Sequence, residues 1–186
     1  MVLPTIFLAN TCTIQKRRRM QKLTYTGSSG APVVAQTVTG TTSHATAVIS
    51  SLGSGYLVVK TLSGTFTNGE SITIGITFAA TLGTQTDYVN QSGEYQYYWV
   101  NDQTGVTCRF SYTTAGKGET IHESGQLLDQ PLKCLLLPTV TIDPLDYRVV
   151  TTDAGFAGTY DIASLYPVTG VTALNHYSAV LRKVTV

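Results

Sequence analysis

The amino-acid sequence predicts an all-β protein: a small β-barrel carrying an inserted β-module of three or four strands. Three observations lead there. Helical periodicity is nearly absent, while two-residue alternation and β-branched runs dominate between Gly and Asx turns. At 186 residues with 42% apolar and 12% charged side chains, the chain can bury a core. It is too apolar for a disordered chain. The charges are also unevenly spread: between Thr24 and Gly93 only Lys60, Glu70 and Asp87 are charged, whereas the flanks are ordinary in this respect.

The elements follow in chain order. "NTCTIQ" is the first strand, ending at the basic run Lys16, Arg17, Arg18 and Arg19, and "SSGAP" reads as a loop. In the low-charge stretch, "HATAVISS", "YLVVKTL" and "ESITIGITF" are strands. "LGSG" separates the first two, and Asn68-Gly69 is the strongest short hairpin signal of the chain. Gly64 marks a bulge or bend. A sheet this small has a thin core and is expected to lean on something else. After it, "EYQYYW" places four aromatics within Tyr95–Trp99, read as core or as an interface edge. "GVTCRFSY" alternates, "LKCLLLP" reads as a strand buried on both faces, and "YRVVTT", "GTYDIASLYPV" and "YSAVLRKVTV" complete the set. The predicted division is 1–23 plus 94–186 for the barrel and 24–93 for the insert.

Composition narrows function more than it assigns it. A net charge of +1 announces no global nucleic-acid field. The amino end lacks the order of a secretory signal, because its positive charge follows the apolar run and Pro4 interrupts that run. No apolar stretch approaches the roughly 18 residues of a spanning helix. A soluble protein made in a cytoplasm is the expectation, with no membrane partner. Cys12, Cys108 and Cys134 are odd in number and widely spaced, with no C-x-x-C pair, and read as buried free thiols.

No catalytic pattern is complete in the sequence. "HES" at His122–Ser124 lacks the second His of a zinc-protease motif, and "TGSSGAP" falls short of a nucleophile elbow. Asp143 and Asp146 in "IDPLD" suit a solvated turn better than a cation site. The expectation is a non-enzyme with no catalytic, cofactor-binding or metal-binding residue. The run Lys16–Arg19 is either a solvated turn or a contact with phosphates or an acidic protein surface. The polar loop Thr113–Gly125, with Lys117, Glu119, His122 and Glu123, is either a partner-facing or pore-facing loop or an ordinary hairpin tip.

The flanks carry a resemblance. "LANTCTIQKRR", "VTCRF", "PLDYRVVTTDAGFAGTYDIASLYPV" and "HYSAVLRKV", in that order, resemble the head–tail joining (head-closure or stopper) proteins of tailed bacteriophages. The matching positions are Thr11–Gln15, Val106–Phe110, Asp146–Val150, Gly158–Ile162 with Pro167, and His176–Lys183. The interval before "VTCRF" is much longer than is usual in that family, so the low-charge stretch reads as an insertion. Such an insertion costs little closure entropy. The resemblance implies a structural virion neck protein, assembled in the host cytoplasm as a ring of roughly six or twelve copies. It would lie under a portal or adaptor, with a tail terminator or tail tube below, and contact packaged DNA non-specifically. Tail-terminator or tail-tube ring proteins share most of these features. A capsid decoration or adhesin module, with the insert as its working part, is the other reading.

Overall fold

The computed structural model describes residues 9–112, 132–168 and 175–184. All regular structure in them is β-strand. The strands are β1 Asn10–Arg19, β2 Gln21–Gly30, β3 Thr37–Gly40, β4 Thr46–Gly53, β5 Tyr56–Ser63 and β6 Ser71–Ile74. Then come β7 Phe78–Asp87, β8 Tyr97–Tyr112, β9 Leu132–Leu136, β10 Tyr147–Thr151, β11 Gly158–Val168 and β12 His176–Lys183. They form two closed antiparallel barrels of six strands each, ordered β1-β10-β11-β12-β9-β8 and β2-β5-β4-β3-β6-β7. Among the described residues no helix is long and apolar enough to cross a membrane.

The chain divides into one unit of residues 1–17 and 99–186 and a second of 18–98. The second unit spans the stretch read as an insert. It begins six residues earlier than the predicted 24 and ends five later than 93, because β2 and the start of β8 belong to it. It also has six strands where three or four are expected. Closure is the reason: β2 pairs with both β5 and β7, so no edge is left for another unit to cover.

In the first unit, alternation decides what is inside. Ile14 lies opposite Val149, Val149 opposite Tyr160, Ile162 opposite Leu181 and Leu181 opposite Leu132, all of them buried. A ring of inward residues thus runs through neighbouring strands and fills the barrel. In β9 only Leu132, Cys134 and Leu136 are buried, while Lys133 and Leu135 are half-exposed. The expected two-sided burial of this strand is corrected: a barrel wall has one dry face, and a continuous apolar run can still lie on it. Ala179 and Leu181 of β12 point inward as their alternation predicts.

The second unit has its own core, including Leu23, Val38, Ile49, Leu57, Val59, Phe66, Ile72, Phe78 and Leu82. The expectation of a thin core is corrected by closure, which turns all six inner faces toward one another. β2 bends into the barrel through register shifts at Leu23/Tyr25 and Thr26/Ser29. "SSGAP" is consequently split, with Ser28–Gly30 in β2. At Gly30, with φ of 78°, a Cβ would overlap the Thr77 carbonyl oxygen, so only glycine lets β2 approach the β6–β7 turn.

The Asn68-Gly69 signal is a turn but not a hairpin. Glu70 N–H donates to the Thr67 carbonyl at 3.1 Å, and Gly69 has φ of 81° while Asn68 stays at negative φ. That is type II character, which takes Gly at its third position, whereas a two-residue Asn-Gly hairpin needs both residues at positive φ. β5 accordingly pairs with β2 and β4, and β6 with β3 and β7. Gly64, at φ of 71°, is the expected bend just past β5, where its Cβ would meet Ala45 Cα at 3.1 Å.

Candidate functional site

The basic run does not leave the barrel on a loop. β1 continues through it to Arg19, and none of the four basic residues is buried. Lys16 and Arg17 belong to the first unit, Arg18 and Arg19 to the second.

In the first unit, Arg17 Nη2 lies 3.2 Å from Asp146 Oδ1, and its backbone N–H donates to the Asp146 carbonyl at 2.7 Å. Lys16 Nζ sits 5.3 Å from the centroid of the Tyr147 ring. Asp143 Oδ1 accepts the Leu145 N–H at 2.7 Å. Asp143 and Asp146 thus build and pin the turn before β10, in line with the expected solvated turn.

Arg148, two residues on, belongs to no charge run, because it stands alone in an apolar strand. Its guanidinium lies 4.3 Å over Trp99, and its Nε donates to Gln15 Oε1 at 2.7 Å. Gln15 in turn donates to Asn101 Oδ1 at 2.7 Å. Desolvation against this aromatic cover lowers the Arg148 pKa, opposed by the charge of Asp161. Arg182 also faces Asp161, at 3.8 Å. A Trp–Arg stack framed by carboxamides is the side-chain chemistry enriched at protein interfaces.

In the second unit, Arg19 Nη1 donates to Asp87 Oδ2 at 2.6 Å and its guanidinium lies 4.1 Å over Tyr95. Gln21 Nε2 occupies the other oxygen, Asp87 Oδ1, at 2.7 Å. These hydrogen bonds raise the Arg19 pKa and lower that of Asp87. Arg18 is exposed. Of the aromatic cluster only Tyr98 is buried, and its hydroxyl donates to the Thr61 carbonyl at 2.9 Å. Tyr95 and Tyr97 are 44% and 38% exposed, which fits an edge better than a core.

Glu70 is the buried charge of the second unit, 6% exposed. Burial pushes its carboxyl pKa up, but four donors outweigh that and hold it below the usual range. They are the backbone N–H groups of Thr42, Ser43 and Thr67 at 3.0, 2.9 and 2.6 Å, and the Ser43 hydroxyl at 2.8 Å. The carboxylate staples the β3–β4 turn to the loop before β6. His44 lies in that turn, at φ of 55°.

The three cysteines, so distant in sequence, converge. Their sulfurs all lie within 4.8 Å of one another inside the first barrel. Each is a buried free thiol, as expected. Hydrogen bonds from Cys108 and Cys134 favour the thiolate at Cys12 and lower its pKa to about 5, while both donors are pushed up. No spacing motif could reveal the cluster, since it depends on the order β1-β8-β9 in the wall. Lys117, Glu119, His122 and Glu123 lie outside the described residues.

No protein-family model, curated protein or solved structure matches the chain.

Proposed function

We propose that this chain is a structural neck protein of a tailed bacteriophage, of the head-closure type, working as a ring between portal or adaptor and tail. One observation carries the reading. The five segments that resemble joining proteins fall on β1, β8, β10, β11 and β12, five of the six strands of a single closed barrel. The stretch that departs from the resemblance is a second barrel, set into the connection between β1 and β8. A resemblance scattered by chance over 186 residues would have no reason to respect one barrel's boundary.

In this reading the first barrel is the ring-forming part, and its chemistry is adhesion rather than catalysis. The Arg148–Trp99 stack and the Arg17–Asp146 pair are the contacts offered to neighbouring copies or to the adaptor. With Arg17 and Arg19 each held by a carboxylate, the field any ring presents to DNA is weaker than four unpaired charges per copy would give. Non-specific DNA contact is a secondary role.

Electron microscopy of virions carrying a tagged chain tests the proposal. The expected image places the tag at the junction of head and tail. A tag at the tail tube supports the terminator or tube reading instead, and a tag spread over the capsid supports decoration; either result ends the head-closure proposal.

A further inference from the structure

We infer that Cys12, Cys108 and Cys134 form a three-sulfur site for a soft d10 metal ion of low coordination number, Cu(I). The inference is independent of the neck reading. Three adjacent strands, β9, β8 and β1, each contribute one inward sulfur, and the residues are 0%, 0% and 4% exposed for Cys134, Cys108 and Cys12.

Geometry comes first. A metal–thiolate bond is about 2.3 Å, so an ion centred among three sulfurs sets them about 4 Å apart. The sulfurs here already lie within 4.8 Å of one another. Small side-chain rotations complete the triangle without moving a strand. Two strands fix the framework: Cys134 stands opposite Phe110 and Cys108 opposite Leu136. Asn10 Oδ1 accepts the Phe110 N–H at 3.1 Å and ties β1 to the same wall.

Donor chemistry selects the ion. Thiolates favour soft ions such as Cu(I). The cluster holds three cysteines, with no His or carboxylate among the described residues completing a fourth position. Structural zinc is almost always closed tetrahedrally by four ligands, so zinc is a poor fit. Softness and a low coordination number, not charge, make Cu(I) the ion that suits three sulfurs. Binding releases one proton for each thiol that ionises, so affinity rises with pH. Access follows from folding: the ion enters while the barrel forms or when a wall strand opens locally.

The test uses the full chain, refolded without oxygen in the presence of Cu(I) supplied as its acetonitrile complex, with a Cu(I) chelator as competitor. One Cu(I) per chain is expected, with ultraviolet thiolate-to-copper absorption and a higher melting temperature than the metal-free protein. Cys12→Ser, Cys108→Ser and Cys134→Ser should each weaken binding at least about 100-fold. X-ray absorption on the wild-type complex needs no variant to fold, and three sulfur neighbours at about 2.3 Å are expected. Fewer than three sulfurs, no stoichiometric copper, or variants that bind copper as tightly as wild type overturn the site. So does an as-isolated mass lower by two hydrogens, which would mean a disulfide instead.

Discussion

Replacing Glu70 by Ala removes the one acceptor shared by four donors in the second barrel. Three of those donors are backbone N–H groups, at Thr42, Ser43 and Thr67. A buried donor that loses its partner costs about 1–3 kcal/mol. Thr42 and Thr67 are exposed and Ser43 is half-buried, so water can reach the stranded groups and the low end applies. The loss is about 3 kcal/mol. For a unit of about 80 residues, each kcal/mol moves the midpoint by about 4–8 °C, so the expected drop is about 12–24 °C. Calorimetry with far-ultraviolet circular dichroism reads it. Fluorescence of Trp99, the chain's single tryptophan and part of the other unit, separates the two barrels. The pH dependence follows from the lowered pKa. Glu70's contribution is complete above its unfolded value of about 4.3 and fades as pH falls through the lower folded value. The gap between wild type and Glu70→Gln should therefore be constant from neutral pH to about pH 5 and narrow below about pH 4. An Ala variant melting within about 2 °C of wild type would refute the staple argument.

Other outcomes are equally specific. Met20 N–H donates to the Gln96 carbonyl at 2.8 Å. Residues 21–95 should therefore be replaceable by a Gly/Ser turn of about two to four residues; random-coil dichroism of that deletion would show that the first barrel cannot fold alone. Arg148→Ala should cost about 1 kcal/mol and shift Trp99 emission to the red, since the guanidinium 4.3 Å away covers the indole; an unchanged spectrum would mean the stack does not persist in solution. Changing Arg17, Arg18 and Arg19 together to Ser should leave both barrels folded, because the pairs they form are exposed, while weakening joining to filled heads; particles joined as efficiently as wild type would remove the basic run from the interface.

Local grammar made the β-class and most strands legible. Alternation in "HYSAVLRK", the "SG" turn between β4 and β5, and the charge desert between Thr24 and Gly93 each reflect interactions within a few residues. A charge-poor composition also marked most of the second unit, which has its own core. What sequence could not show depends on pairing between distant strands. The Asn68-Gly69 turn failed as a hairpin because its partner strands are chosen by barrel closure, not by the turn. The basic run gained Asp146 and Asp87 as partners across intervals that no window spans. The donors that hold Glu70 come from two separate loops, a pairing no local pattern carries. Three cysteines at positions 12, 108 and 134 became one cluster only when β1, β8 and β9 became neighbours in a wall. Periodicity is a property of one strand at a time; the sites of this protein are properties of strands brought side by side.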